Sequence, residues 1–231
     1  MLEYGYYNMD CMQGMKDFPD GYFDLAVVDP PYGIKENGKK NATRSNRAMA
    51  KAYKPFAGGD VKPPDEEYFR ELFRVSKNQI IFGANHFISK MPYDSPCWIV
   101  WDKNNGNNDF ADCELAWTSF KTAVRKYKYT WQGMIQENMK NKEYRIHPTQ
   151  KPVALYEWIL TTFAAAGDVV LDTHVGSASS LIACRNTGHK FVGFELSEHY
   201  FNLSQERYRQ ETAQMRLSDF MGGSHEITGF C

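Results

Sequence analysis

Short apolar runs alternate with stretches of helical periodicity along most of this chain. Apart from Asp24, residues 23–28 are apolar without alternation, which is typical of a strand buried on both faces of a parallel sheet. Residues 65–75 carry aromatic and aliphatic side chains at helical spacing, so we predict a helix that turns this face to the core. The order strand–helix–strand recurs, and it predicts an α/β fold with a doubly wound, mostly parallel sheet.

The same patterns predict the other elements. Strands are predicted at Tyr4 to Asn8, Gln79 to Phe82, Cys97 to Trp101, Glu114 to Ser119, Val169 to Leu171 and Lys190 to Phe194. Helices are predicted at Cys11 to Phe18, Pro152 to Ala166, Ser177 to Asn186 and Ser197 to about Leu217, the last capped by Ser197. Two polar stretches lack a period: 33–64, which we expect to be a mobile loop, and 121–145, which is basic and aromatic. We expect 221–231 to be a flexible tail.

Composition excludes several classes of protein. With 231 residues, 42% hydrophobic and 24% charged, the chain is long enough for one large globular α/β domain or for a domain with a modest insertion. Its net charge of −1 excludes a polycation, so any contact with nucleic acid must come from local patches. The five cysteines show no metal-ligand spacing, so we expect reduced thiols and no metal. We expect a cytoplasmic protein, because neither a signal peptide nor an apolar stretch of membrane-spanning length occurs.

Four acidic residues follow predicted strands. They are Asp10, Asp29, Asp172 and Glu195. The carboxyl ends of parallel strands meet at one edge of the sheet, where ligands bind in doubly wound folds. The sequence therefore predicts a ligand site lined by carboxylates.

Asp29-Pro30-Pro31-Tyr32 brings together three chemical features at the end of one predicted strand. The two prolines stiffen the turn and leave its carbonyl oxygens free. A carboxylate, a free carbonyl and an aromatic ring suit a site that grips a planar heterocycle bearing an amine. Asp and Pro are also common in ordinary turns, and this simpler interpretation stays open at this point.

The stretch 169–180 runs from a predicted strand through a turn of small residues into a helix. Such a turn lets a ligand approach the backbone and the helix N-terminus. Glu195 follows about twenty residues later, at the spacing at which a carboxylate binds the ribose hydroxyls of adenosine. The turn is neither the Gly-x-Gly-x-x-Gly fingerprint nor a phosphate-binding loop that ends in Lys-Ser/Thr, which disfavours NAD and ATP.

Four stretches together resemble the S-adenosylmethionine-dependent amino-methyltransferases of DNA. They are Asp-Pro-Pro-Tyr at 29–32, His-Pro-Thr-Gln-Lys-Pro at 147–152, Leu-Asp-Thr-His-Val-Gly-Ser at 171–177 and Phe-Val-Gly-Phe-Glu at 191–195. Their order is that of the permuted β group, and the resemblance covers about residues 4–208. It implies a Rossmann-like sheet of the class I methyltransferase type with a small inserted target-recognition segment, and S-adenosylmethionine as the cofactor.

The resemblance also implies a role for each matching residue. Asp29 and the carbonyl of Pro30 would hold the target amine, Pro31 would complete the turn, and Tyr32 would stack on an extruded base. The residues implied at the cofactor are Asp10 near the adenine, Lys151 and Pro152 at the methionine end, Asp172, Thr173, His174, Gly176 and Ser177 in the turn, and Glu195 at the ribose. His174 and Ala178 stand where the family usually has Phe and Gly.

Two basic clusters are candidates for contact with double-stranded DNA. They comprise Lys39, Lys40, Arg44 and Arg47 in the first polar stretch, and Arg125, Lys126 and Lys128 in the second. A solvated charged face is the competing interpretation of each single residue. The resulting division is a catalytic half at 1–120, a target-recognition segment at 121–146 and a cofactor half at 147–220. Either a monomer or a homodimer remains open.

The resemblance favours adenine N6 as the methylated atom, because enzymes of cytosine N4 commonly have Ser where this chain has Asp29. Cytosine N4, adenine in RNA, and a catalytically weak protein that binds cofactor or DNA remain alternatives. We expect His86 to be an ordinary loop or core histidine, and His147 to order its turn.

Overall fold

The computed structural model describes residues 2–34, 60, 62–106, 111–132 and 135–213. The strands are β1 (Gly5–Asn8), β2 (Phe23–Val28), β3 (Ser76–Phe82), β4 (Trp98–Asp102), β5 (Cys113–Thr118), β6 (Arg125–Lys128), β7 (Trp131–Gln132), β8 (Ile135–Gln136), β9 (Val169–Asp172) and β10 (Lys190–Glu195). The helices are α1 (Cys11–Met15), α2 (Glu66–Val75), α3 (Val153–Phe163), α4 (Ser179–Thr187) and α5 (Glu198–Thr212). The predicted elements are therefore present, with ends displaced by a few residues.

Eight strands form one sheet in the order β1-β10-β9-β2-β3-β5-β4-β6, and β7 pairs with β8 in a separate hairpin. Among the described strands of the large sheet, β5 alone runs antiparallel to its neighbours. This topology confirms the predicted mostly parallel, doubly wound α/β sheet.

Helices cover both faces of the sheet. The cluster that contains Leu25 and Val27 of β2 packs against α3 and α4, whereas the cluster that contains Ala26 and Val28 packs against α1 and α2. Successive side chains of a strand point to opposite faces, so a strand between two helical layers is apolar throughout. This is the physical reason that 23–28 shows no alternation.

The topology reverses between β9 and β2. From β9 the chain passes through α4 to β10 on one side, and from β2 it passes through α2 to β3 on the other. Such a reversal opens a crevice at the carboxyl ends of the two central strands. Asp172 ends β9 and Asp29 follows β2, so both carboxylates lie at this point.

Two local features differ from the sequence analysis. The stretch 121–145 shows no clear period and no strand was predicted in it, but Arg125–Lys128 forms β6 and pairs in parallel with β4. A short charged edge strand shows no buried alternation, so its pattern could not reveal it. Ser197 occupies the N-cap position of α5, but its side chain makes no capping hydrogen bond. Its backbone N–H instead donates to Oε1 of Glu195 at 2.8 Å.

The two ends of the predicted loop 33–64 lie together. Oδ1 of Asp60 accepts from the backbone N–H of Gly33 at 2.6 Å, and Oδ2 accepts from that of Ile34 at 3.1 Å. The predictions for Lys39, Lys40, Arg44 and Arg47 and for the tail 221–231 lie outside the described residues. In the part of the chain that the structure describes, no helix has the length and apolar character needed to cross a membrane.

Candidate active site

Four carboxylates lie along one edge of the sheet, as predicted. The strand order β1-β10-β9-β2 places Asp10, Glu195, Asp172 and Asp29 after neighbouring strands, in that order. With strands ~4.8 Å apart, the row spans ~14 Å, which is long enough for an extended ligand. The catalytic and cofactor motifs therefore occupy two ends of one edge.

Asp29 accepts hydrogen bonds on both carboxylate oxygens. The hydroxyl of Tyr32 donates to Oδ1 at 2.6 Å, and the ammonium of Lys151 donates to Oδ2 at 2.5 Å. Pro30 is buried and Pro31 is half-buried between them in sequence. The turn thus holds the carboxylate and the ring of its own motif against a lysine from the second motif.

The ring of Tyr32 is held from two directions. Gly83 has φ +69°, and a Cβ there would lie 2.0 Å from the Tyr32 ring. The exposed His86 lies nearly parallel to that ring, with centroids 5.2 Å apart and planes 16° apart. Sequence reasoning missed this role of His86, because nothing local to its turn signals a contact with Tyr32. The stacking of Tyr32 on a base stays a prediction.

Lys151 lies at the centre of a buried set of charges. Its side chain is 4% exposed, and Nζ lies 3.0 Å from Oε2 of Glu114 as well as beside Asp29. Lys103 pairs with the other oxygen of Glu114. Burial opposes the charge on Lys151, but the two carboxylates outweigh it and raise the pKa of the lysine.

Glu114 and Lys103 are functional candidates that sequence reasoning missed. Burial opposes ionisation of Glu114, yet Lys151 and Lys103 lower its pKa to about 2. A glutamate within an otherwise apolar predicted strand is the signal that could have drawn attention to it. Lys151 itself was assigned to the methionine end of the cofactor, and that assignment stays a prediction. Its ammonium group is bound to Asp29.

The turn at 173–178, which is predicted to bind the cofactor and is called the cofactor turn below, is hydrogen-bonded to two carboxylates. Gly176, with φ +54°, donates its backbone N–H to Oε2 of Glu195 at 2.9 Å. Asp172 accepts from the backbone N–H of His174 at 2.9 Å and from the hydroxyl of Ser180 at 2.6 Å. Burial raises the pKa of Asp172 to about 7 and also raises that of Glu195.

His174 packs against an aromatic residue of α2, and the charge of Asp10 acts on it. Oγ1 of Thr173 lies 2.7 Å from the hydroxyl of Tyr68 and 2.9 Å from Nδ1 of His174. The His174 ring meets the Tyr68 ring edge-on at 5.6 Å, and burial lowers the pKa of this histidine to about 4. Asp10 caps α1 by accepting from the backbone N–H groups of Met12 and Gln13.

Arg207 connects the turn to the second motif. Its guanidinium donates to the carbonyl of Ser177 at 2.7 Å and to Oγ of Ser179 at 2.9 Å, and Ser179 donates to the carbonyl of Lys151. Arg207 also pairs with Glu143 at 2.6 Å.

Two further features lie next to the Arg207 contacts: the N-terminus of α3, and Ala178, whose backbone is left-handed. Glu143 accepts the backbone N–H of Val153, and Pro152 occupies the N-cap position immediately before it. Ala178, in place of the usual glycine, has φ +64°, a conformation that strains a residue with a Cβ.

The described basic candidates for DNA contact lie on the edge strand β6. Arg125, Lys126 and Lys128 are all exposed. Arg125 donates to Thr122 at 3.2 Å, and Lys126 pairs with Asp102 at 2.8 Å. Their contact with DNA stays a prediction.

Comparison with known proteins relates the chain to a family. A family model described as DNA methylase matches residues 100–206, a range that contains the His147–Pro152 motif and both cofactor motifs. The chain is similar to this family over that range. The comparisons confirm methyl transfer to DNA as the predicted activity and S-adenosylmethionine as the predicted cofactor.

Two curated relatives cover most of this methylase. The type II methyltransferase M.HpaI of Haemophilus parainfluenzae is 25% identical over 242 residues, which span 87% of this chain and 73% of the relative. The type II methyltransferase M.HinfI of Haemophilus influenzae is 21% identical over 241 residues, which span 87% of this chain and 67% of the relative.

Solved structures confirm the fold of the methylase. TTHA0409 of Thermus thermophilus, solved in complex with S-adenosyl-L-methionine, has a TM-score of 0.56 at 18% identity, covering 92% of this chain and 96% of that one. The M1.HpyAVI–SAM complex has a TM-score of 0.52 at 22% identity, covering 87% and 98%. PvuII DNA methyltransferase, described as cytosine-N4-specific, has a TM-score of 0.58 at 13% identity, covering 92% of each chain.

Proposed function

We propose that this methylase transfers the methyl group of S-adenosylmethionine to N6 of adenine at specific sites in double-stranded DNA, in the cytoplasm. The observation that carries the proposal is the carboxylate of Asp29 at the carboxyl end of β2. It is held by Tyr32 and Lys151 on the edge where the cofactor turn also lies.

The proposed site has to activate the adenine amine, which is a poor nucleophile. The lone pair of the adenine amine is delocalised into the ring. Hydrogen bonds from that amine to Asp29 and to the carbonyl of Pro30 favour a pyramidal nitrogen with a localised lone pair. When bound, S-adenosylmethionine supplies a methyl group on a positively charged sulfur. The nitrogen would form the N–C bond as the C–S bond breaks with its electron pair going to sulfur, and the amine would release one proton to solvent. Positioning and electrostatics would supply the acceleration.

The residues at the other end of the edge fit this cofactor. Each oxygen of Glu195 accepts one backbone N–H, which leaves acceptor sites for ribose hydroxyls. A Cβ at Gly176 would meet no atom closer than 3.8 Å, so the turn is open to a ligand.

Adenine must leave the duplex before Asp29 can contact its amine, because the amine is paired inside the helix. We assign Tyr32 as the ring on which the extruded base stacks, a contact worth ~1–3 kcal/mol. Its hydroxyl is bound to Asp29 and its ring is stacked on the exposed His86 in this structure. Entry of the base therefore has to replace or share the hydrogen bond and displace the His86 ring.

Adenine is favoured over cytosine by Asp29 itself, because the cytosine enzymes commonly have Ser at this position. The likeness to a cytosine-N4-specific enzyme shows the fold alone and leaves this choice open. The product therefore has to be identified directly.

The test incubates the protein with radiolabelled S-adenosylmethionine and duplex DNA of mixed sequence, then identifies the labelled nucleoside. We expect N6-methyladenine. N4-methylcytosine would establish the alternative substrate, and cofactor binding without transfer would favour a binding protein. Asp29→Ala should abolish transfer and retain cofactor binding, whereas Asp94→Ala, at an exposed position, should leave both unchanged.

A further inference from the structure

We infer that Glu114, supported by Lys103, is a positioning residue for methyl transfer: it fixes the ammonium group of Lys151, which in turn holds the carboxylate of Asp29. This inference rests on the proposed role of Asp29. Glu114 lies in none of the motifs that carry the resemblance to DNA methyltransferases.

Four side chains of alternating charge form a row of three ion pairs. Asp29 pairs with Lys151 at 2.5 Å, and Lys151 pairs with Glu114 at 3.0 Å. Glu114 pairs in turn with Lys103. The side chain of Glu114 is 22% exposed, but its Oε2, the atom that faces Lys151, is shielded from solvent. The two negative and two positive charges of this row balance, so each buried ion has a partner.

The direction of β5 brings Glu114 to this place. Because β5 runs antiparallel to β3 and β4, its beginning lies at the edge where those strands end. Glu114 is the second residue of β5 and stands opposite Trp101 in β4. Lys103 follows directly after β4, which brings its side chain to the same edge.

The row of ion pairs affects how Asp29 can bind the amine of its substrate. The carboxylate already binds Tyr32 and Lys151, so it has to share its oxygens with the incoming amine. A buried ammonium that loses its counterion is strongly disfavoured. Glu114 keeps Lys151 paired while Asp29 adjusts, so Asp29 is free to bind the amine without leaving an isolated charge.

Phe82 and Tyr32 complete the surroundings of the ammonium group. Nζ of Lys151 lies 4.8 Å from the centroid of the Phe82 ring and 5.8 Å from that of Tyr32. Aromatic faces attract a cation and give no proton acceptor of the strength of a carboxylate. Within the described residues around Nζ, Asp29 and Glu114 are thus the groups that keep Lys151 protonated, since burial works against its charge.

Glu114→Gln tests the inference because it keeps the size of the side chain and removes its charge. We expect the single-turnover rate of transfer to fall by about 100-fold while cofactor affinity stays within about 2-fold. Loss of a carboxylate beside Lys151 also lowers the pKa of the lysine. The basic limb of the pH–rate profile should therefore move down by about one to two pH units.

Two further variants separate positioning from general damage. Glu114→Asp retains the charge, so it should recover part of the rate and keep the wild-type pH profile. Glu71→Gln removes a carboxylate of similar exposure from an ion pair with Arg74 on α2, and it should leave rate and profile unchanged.

A Glu114→Gln enzyme with the wild-type rate at every pH would overturn the inference, as would equal losses in Glu114→Gln and Glu114→Asp with no shift of the profile. If Glu114→Gln does not fold, the Glu114→Asp profile decides, because a shifted basic limb in a variant that retains the charge contradicts the inference. Absence of adenine methylation by the wild-type protein would instead refute the proposed function.

Discussion

Lys151 and Asp29 form a 2.5 Å ion pair although 122 positions separate them in the chain. The pair joins the Asp-Pro-Pro-Tyr motif to the His-Pro-Thr-Gln-Lys-Pro motif, so two distant stretches make one site. It also places the lysine at the carboxylate that we propose to be catalytic, next to the point where the topology of the sheet reverses.

Lys151→Met should abolish methyl transfer and leave the affinity for S-adenosylmethionine nearly intact. The variant removes the partner of Asp29 and leaves Glu114 with Lys103 alone, and breaking a buried pair costs about 3–5 kcal/mol. Calorimetric titration with cofactor and a transfer assay measure the two effects separately. A large loss of cofactor affinity with transfer retained at saturating cofactor would instead support the role at the methionine end.

Arg207→Met should weaken cofactor binding by at least about tenfold and destabilise the protein by about 3 kcal/mol. Arg207 is buried, pairs with Glu143 and supports the carbonyl of Ser177 in the cofactor turn. Arg209→Met is the matched control, since Arg209 is 71% exposed and its contact with Glu206 is 3.7 Å long. Urea unfolding and cofactor titration of both variants check this prediction, and equal behaviour of the two would contradict it.

Ala178→Gly should leave stability close to the wild-type value, whereas Ala183→Gly should lower it by about 1–2 kcal/mol. Both alanines are fully buried, so the two variants lose the same methyl group. Ala183 lies within α4, where glycine is unfavourable, but Ala178 is left-handed at φ +64°, where glycine relieves about 1–2 kcal/mol of strain. Thermal unfolding measures the difference, and equal destabilisation would show that Ala178 is unstrained.

His174→Phe should remove part of the loss of stability below neutral pH. Burial lowers the pKa of His174 from 6.5 to about 4 in the folded protein, against the opposing charge of Asp10. The unfolded chain therefore takes up a proton first as the pH falls. Stability due to this residue is complete above about pH 6.5 and decreases towards pH 4.

The effect of this substitution is read from the difference between two stability profiles. The two curves should diverge by about 2 kcal/mol between pH 7 and pH 4, after allowance for the partial exposure of the ring. His147, whose pKa burial lowers to about 3, is present in both proteins and cancels in the comparison. Parallel curves would show that His174 is already accessible to protons.

Arg125→Ala and Lys128→Ala should each weaken DNA binding and reduce its dependence on salt. Each lost phosphate contact lowers the slope of log K against log salt by about 1. Lys77→Ala is the control, because Lys77 lies in β3, which β5 and β4 separate from β6, and it pairs with Asp24. Fluorescence anisotropy at several salt concentrations gives the slopes. Slopes identical to that of the wild type would remove β6 from the DNA-binding surface.

Much of the fold could be predicted because its elements depend on short-range patterns. The apolar run at 23–28 and the amphipathic stretch at 65–75 identified a strand and a helix by their periodicity. The short edge strand β6 was missed, since neither of its faces is buried enough to produce a pattern. Ser197 occupies the predicted N-cap position, but its side chain makes no capping hydrogen bond, and its backbone N–H donates to Glu195 at the end of β10.

The motifs by themselves predicted which residues carry the chemistry: the carboxylates that follow the strands, the stiff turn at 29–32 and the small-residue turn at 174–178. Tertiary structure alone decided their partners. Strand order set the carboxylates side by side, and the reversed direction of β5 brought Glu114 to Lys151. The physical reason is the distance along the sequence over which each interaction acts. Local propensity depends on neighbours in sequence, whereas a buried ion pair depends on how whole strands are arranged within the sheet.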